Sequence, residues 1–378
     1  MPAPPFRGGI LRKYYIDNLR SLCILLLFPY HTCMVFNDFE SFYVHGVTVR
    51  LFSDFVLACS QWFMPLMFVL AGVSTAYALQ KRTTREYIGE RAARLLLPLV
   101  FGLLLVVPAQ TYFAERFHNG YTGGYFEQYL LFFTKPTDLT GYKGGFTPAH
   151  LWFIFYLFVI ALLAMPILLW YNKREKPLDA ARLTIPKLLP LVLIPYVMSP
   201  ILDISGKSLG QFFALFMLGY FVLSRSEVIE RLERYRWPLT GATVLLLAVT
   251  LVVFRLGGWQ DGFSPAALSL SLGRHITMWV SILAIMGMGK RYLNFTNCAS
   301  AYFARASFPV YVFHQTWIIV AAYYALQLTD NVALQALIIL ISGFVLSMAT
   351  YEAARRFFVI RWMFGIKNNT INTKEKLS

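Results

Sequence analysis

Charge is what this chain has least of. Asp, Glu, Lys and Arg make up 14% of its 378 residues, against about 25% in a soluble domain. Hydrophobic residues make up 57%, against about 45–50%. This balance excludes a soluble enzyme, a disordered chain and a dedicated nucleic-acid-binding domain, and leaves one polytopic membrane domain. Cysteine is scarce too. Cys23, Cys33 and Cys59 lie in apolar runs and Cys298 in a polar loop, with no C-x-x-C and no zinc spacing. That excludes a disulfide framework and reads the four as small buried hydrophobes. Also missing are G-x-S-x-G, a Walker A loop and H-E-x-x-H, so neither a covalent nucleophile nor a metal is implied. Acidic residues are few, 19 against 34 Lys and Arg, for a net charge of +15. In a soluble protein that excess suggests nucleic acid. Here it has first to be weighed against membrane topology.

What is present is apolar runs. A helix needs about 20 mostly apolar residues to cross about 30 Å of hydrocarbon. Ten segments qualify: about 17–36, 54–79, 95–113, 150–171, 188–204, 208–224, 238–255, 275–289, 306–327 and 332–352. The fifth and sixth are short and joined by a polar turn, Asp203–Ser208. The expected fold is therefore all-α, a multi-pass cell-membrane protein of about ten transmembrane helices. The first run contains Pro29 and His31 and lacks a small-residue cleavage site, so it is read as a helix of the mature protein, not a signal peptide. With the N-terminus placed in the cytoplasm, 27 of the 34 Lys and Arg fall on inner segments and 7 on outer ones. That asymmetry puts both termini inside and accounts for the basic charge without nucleic acid. The expected division is a cytoplasmic segment 1–13, a membrane domain 14–355 and a cytoplasmic tail 356–378, with no soluble hydrolase-like domain appended. No internal repeat is visible, which argues against an inverted-repeat transporter. One outer loop, 114–149, is long and rich in Gly and Tyr. It is expected either to line a sugar-binding surface or to form a partly helical cap.

Polar groups at membrane depth are costly, so each is a functional candidate. The strongest pair is on the first helix. Arg20 and His31 are 11 residues apart, about three turns, so they share one face roughly 16 Å apart. Arg20 then stands at the cytoplasmic mouth and His31 near the midplane. A coenzyme A thioester has a polyphosphate nucleotide end and a pantetheine arm of about that span. Arg20 would hold phosphate through its fork of donors. A neutral His31 would take the proton of an acceptor hydroxyl as it attacks the acyl carbon. Arg91 and Arg94 open the third helix on the same side, an i,i+3 pair at a helix N-terminus. Further cavity or acceptor candidates are His314 in SFPVYVFHQ, His150 and Trp152 in AHLWFIFYL, and Asp54 and Gln61 on the second helix. Asp17 is expected to pair with Arg20, and Glu352 with Arg355. His45, His118 and His275 fall in outer segments and are expected to be solvated or interfacial.

At these residues the sequence resembles the acyltransferase-3 family of integral-membrane acyltransferases. YYIDNLRSLCILLLFPYH carries Arg-x10-His. FMPLMFVLAGVSTAYAL, ERAARLLLPLV with its RxxR, HLWFIFYL, FALFMLGYF and SFPVYVFHQ follow in order. The D-N-L-R start, FNDF, the RAARLLLPL run and PAHLWF point to the glucan biosynthesis protein C branch of that family. The resemblance implies about ten helices and an acyl group taken from cytoplasmic acyl-CoA. It also implies an acceptor modified on the outer face, commonly a cell-envelope carbohydrate. Carried over, Arg-x10-His falls on Arg20 and His31, and RxxR on Arg91 and Arg94. Where relatives often show Ser-Gly, this chain has Ala71-Gly72 and no hydroxyl; the glycine is expected to allow close helix packing.

The expected function is transfer of an acetyl, succinyl or similar group from acyl-CoA to a hydroxyl of an envelope glycan. His31 would be the general base, and Arg20, Arg91 and Arg94 would hold the CoA phosphates. The alternatives are a transporter or channel with His31 as a proton relay, or an O-acyltransferase acting on lipids.

Overall fold

The structure is a computed structural model that describes residues 13–173, 178–258 and 262–366. The helices in chain order are α1 (Tyr14–Met34), α2 (Arg50–Ala78), α3 (Thr84–His118), α4 (Tyr125–Thr134), α5 (Ala149–Asn172) and α6 (Ile185–Met198). They continue with α7 (Leu209–Leu223), α8 (Ser226–Arg234), α9 (Arg236–Arg255), α10 (Pro265–Tyr292), α11 (Cys298–Leu328), α12 (Val332–Ala354) and a short α13 (Phe358–Met363).

Several helix starts are written in the sequence. Thr83 and Glu86 form a reciprocal capping box before α3. Ser264 accepts from the Ala267 amide with Pro265 in the first turn of α10, where proline's missing N–H costs nothing. Asn297 and Asn331 cap α11 and α12 the same way. In each case a side-chain oxygen satisfies an amide that the helix leaves unpaired.

Among the described residues, six helices are long and apolar enough to cross a membrane, α2, α3, α5, α9, α10 and α12. There are seven if α7 and α8, which meet at a 92° bend, count as one broken span. α1 and α11, with 21 and 31 residues, have the length, but their polar groups dilute the hydropathy. The run at 188–204 yields the shorter α6, about 20 Å long at 1.5 Å per residue. The polar turn after it is a two-residue antiparallel ladder, Asp203–Ile204 with Lys207–Ser208. The segment expected as 275–289 is the C-terminal part of the much longer α10. The expected tail 356–378 contains α13, which packs on α3 with Trp362 against Phe101 at 5.8 Å between ring centres.

α1 is the central helix, packed on α2, α10, α11 and α12. α9 lies at the periphery, with only 6% of its apolar stretch buried. The tightest crossing joins α2 to α7. A Cβ on Gly72 would overlap the carbonyl of Phe216, and one on Gly219 the carbonyl of Val69. The expected close approach at Gly72 is thus present, with backbone against backbone.

Candidate active site

His31 lies near the C-terminal end of α1, where Pro29 removes a backbone donor. Two other histidines meet it there. The rings of His31 and His314 are 5.2 Å apart between centres, and those of His314 and His150 are 5.1 Å apart. His314 is fully buried and His150 nearly so, while His31 is half-buried. α11 delivers His314. α5 delivers His150 just after Ala149, whose φ of +46° turns the chain inward and whose amide donates to Thr147 Oγ1 at 3.0 Å.

Hydrogen bonds set the ring states. His150 Nε2 lies 2.9 Å from the Val312 carbonyl. A carbonyl only accepts, so Nε2 carries the proton and Nδ1 is free to accept from Gln110 Nε2 at 3.4 Å. Gln110 also donates to Thr316 Oγ1 at 2.8 Å and accepts from Gln315 Nε2 at 3.0 Å. Tyr311 donates its hydroxyl to the His150 carbonyl.

The cap over this end is partly helical. Glu115 pairs with Lys135, and Gln128 Nε2 donates to the Gly144 carbonyl at 2.9 Å. Asp138, bound by Thr140 and Lys143, is held well below the usual carboxylate range. Tyr142 donates to the Ser41 carbonyl, and the His118 ring bonds the Phe42 carbonyl at 3.0 Å. The cap therefore fixes the loop 37–46, whose Phe42 stacks on His31 at 5.7 Å. Buried Asn37 organises that loop through the carbonyls of Met34 and Glu40.

Three turns away, Arg20 donates to Ser74 Oγ at 2.7 Å and pairs with Asp17 at 3.4 Å. Arg91 Nη2 reaches Thr75 Oγ1 at 3.4 Å and lies 4.9 Å over the Tyr87 ring. Adjacent residues of α2, Ser74 and Thr75, thus draw the two guanidinium groups to one place. Arg94 goes elsewhere. Ala92–Leu96 is a π-turn, which changes the angular step between Arg91 and Arg94. Arg94 pairs with Glu90 at 3.8 Å and is 42% exposed.

The remaining candidates separate. Asp54 does not join the histidines: it binds Arg255 at 2.7 Å, and Arg255 also binds Asp38. Gln61 Nε2 donates to the Leu57 carbonyl at 3.3 Å, at the break inside α2. Trp152 packs among Phe68, Phe212 and Tyr156, with Lys207 5.7 Å over its ring. His275 is buried, not interfacial, and bonds the Ser271 carbonyl. His45 bonds the Asn37 carbonyl. Glu352 and Arg355 form the expected ion pair at 2.6 Å. Sequence reasoning missed Ser74, Thr75 and Gln110, although each is a polar residue inside an apolar run. It also missed Phe42, which carries no such signal. Among the described residues, no three His, Cys, Asp or Glu side chains are arranged to hold a metal ion.

A helical membrane protein with buried histidines at one end of a central helix and arginines at the other is the class that fold and site define. A family model described as an acyltransferase domain matches residues 13–352, and the chain belongs to this acyltransferase-3 family of membrane acyltransferases. Relatives named glucans biosynthesis protein C, from Salmonella paratyphi B, Salmonella heidelberg and Salmonella enteritidis, are each 24% identical to it. The alignments cover 97% of this chain and 96% of each relative.

Proposed function

We propose that the protein takes an acyl group from coenzyme A in the cytoplasm and transfers it to a hydroxyl of a cell-envelope carbohydrate on the outer side. His31 is the general base. Arg20 and Arg91 hold the nucleotide phosphates, with Arg94 at the rim. His150, Trp152 and His314 lie on the acceptor side, and the 114–149 cap covers its entrance. In this reading α1 and α11 are also spans, residues 14–355 form the membrane domain, and both termini are cytoplasmic, as the distribution of Lys and Arg favours.

One observation carries the reading. α1 holds Arg20 among hydroxyl-anchored guanidinium donors at one end and His31 among histidines at the other, about 16 Å apart. That is the reach of a pantetheine arm between its phosphates and its thioester. The relatives' name, glucans biosynthesis protein C, supports a carbohydrate acceptor.

The reaction balances without a cofactor. The acceptor O–H gives its proton to His31 as its oxygen attacks the thioester carbon. The C–S bond breaks, and the thiolate recovers the proton. The test uses sealed vesicles of known orientation. Labelled acyl-CoA is expected to be consumed only from the cytoplasmic face, with product on the opposite face. Product formed with donor and acceptor both confined to the cytoplasmic side would defeat the through-membrane reading. CoA alone should raise the melting temperature of the purified protein, as any ligand of the folded state does. A transporter of unrelated solutes would show no such shift.

A further inference from the structure

His31 and His314 each hold one ring nitrogen sealed from solvent with no hydrogen-bond partner, Nδ1 of His31 and Nε2 of His314. The two rings are neighbours, 5.2 Å between centres with planes inclined by 40°. Ring nitrogens lie about 1 Å from their ring centres. Two that face each other across that gap meet at about 3 Å, the length of a hydrogen bond.

The state of His314 is fixed from its other side. Its Nδ1 lies 2.6 Å from the Tyr311 carbonyl. The carbonyl only accepts, so Nδ1 carries the proton and Nε2 is a bare lone pair. Phe28, Tyr311 and His150 pack around the ring at 5.8, 5.7 and 5.1 Å between centres and hold its orientation. Toward His31, neutral His314 can only accept. Among the described residues no carboxylate bonds either ring, so no acidic side chain competes for the role.

We propose that His314 is a positioning residue for His31. Its Nε2 accepts a hydrogen bond from His31 Nδ1–H, which fixes the tautomer in which His31 Nε2 is the free base. A turn of the His31 ring about its Cβ–Cγ bond makes this contact and removes both unpartnered nitrogens at once. Two buried polar atoms left unpaired would be the costlier arrangement. Because the sealed nitrogen is Nδ1, the open part of half-buried His31 lies on another edge, where an acceptor hydroxyl can arrive. During transfer the Nδ1 proton stays on His31, and His314 stabilises the imidazolium that forms when Nε2 takes the acceptor's proton. This role rests on His31 as the base; the hydrogen bond itself does not.

The test reads the tautomer directly. Protein labelled with 15N in its histidine rings is reconstituted in liposomes at neutral pH and studied by solid-state NMR, with His31 assigned by its loss in His31→Gln. Wild type is expected to show His31 protonated at Nδ1 and bare at Nε2. His314→Leu should shift His31 toward the Nε2-protonated form that free imidazole side chains prefer. His314→Gln, whose Oε1 stands where Nε2 stood, should keep the wild-type pattern. Wild-type His31 protonated at Nε2, or a tautomer unchanged by His314→Leu, overturns the proposal. Should the leucine variant fail to fold, wild type and His314→Gln decide, since loss of the Nδ1–H form in either is equally fatal. Turnover of His31→Ala tests the general-base reading separately, so the two failures are distinguishable.

Discussion

At the scale of single residues, the proposed function separates chemistry from binding. His31 is packed among Tyr30, Phe42 and His314, far from the arginines. Loss of a general base typically costs about 10²–10⁴-fold in rate. His31→Ala is therefore expected to lose turnover by that order while CoA still stabilises the purified protein, and wild-type-like turnover would remove His31 from the mechanism. Ser74 belongs to the other half. Its hydroxyl donates to the Leu70 carbonyl and so presents its lone pairs to Arg20. Ser74→Ala frees the guanidinium and is expected to weaken CoA binding by about 0.5–1.5 kcal/mol, with the rate at saturating donor unchanged. A titration of CoA against melting temperature measures the first, and initial rates measure the second. The sequence marked His31 and Arg20 because an imidazole and a guanidinium in an apolar run are conspicuous. It did not mark Ser74, because a lone serine in a helix usually bonds its own backbone.

At the scale of elements, the π-turn at Ala92–Leu96 makes the two arginines of RxxR unequal. Arg91 turns toward Thr75 and Tyr87, while Arg94 pairs at the rim with Glu90. Arg91→Ala should lower acyl-CoA affinity by about 1.5–3 kcal/mol, the worth of a charge-assisted bond. Arg94→Ala should lower it by under about 1 kcal/mol, as expected of an exposed pair. Equal losses would mean that Arg94 holds the donor as directly as Arg91. The crossing of α2 and α7 gives a second contrast. A side chain at Gly72 meets a backbone carbonyl, which cannot rotate away, whereas Gly89 has open space. Gly72→Leu is expected to cost at least the 1–3 kcal/mol, roughly, of an overpacked core. Gly89→Ala should leave the melting temperature unchanged or slightly raised, because alanine favours the helix.

At the scale of the whole molecule, topology is the property on which the function turns. Cys298 is exposed, Cys23 and Cys59 are buried and Cys33 is intermediate. Cys298 opens α11 in a segment that the charge distribution assigns to the cytoplasm. A membrane-impermeant maleimide should label wild-type protein in inside-out vesicles and not in right-side-out ones, and Cys298→Ser should abolish the signal. Labelling from the outer face would reverse the assigned orientation and, with it, the side from which the proposed function draws its donor.

The sequence by itself determined the helical membrane class, the family and the Arg-x10-His axis of α1. The class and the axis depend on composition, periodicity and local spacing, which a chain states without folding; the family rests on the resemblance of its motifs and on the family model that matches residues 13–352. The structure adds caps at Thr83, Ser264, Asn297 and Asn331, each a local exchange between a side chain and the next turn. Tertiary structure alone decided that His31, His150 and His314, more than a hundred residues apart in sequence, share one cluster. It alone brought Arg20 and Arg91 together through adjacent hydroxyls and drew Asp54 to Arg255. None of these has a local signature. A buried polar group takes whichever partner the packing of distant helices brings within reach, because a partner of some kind costs less than none.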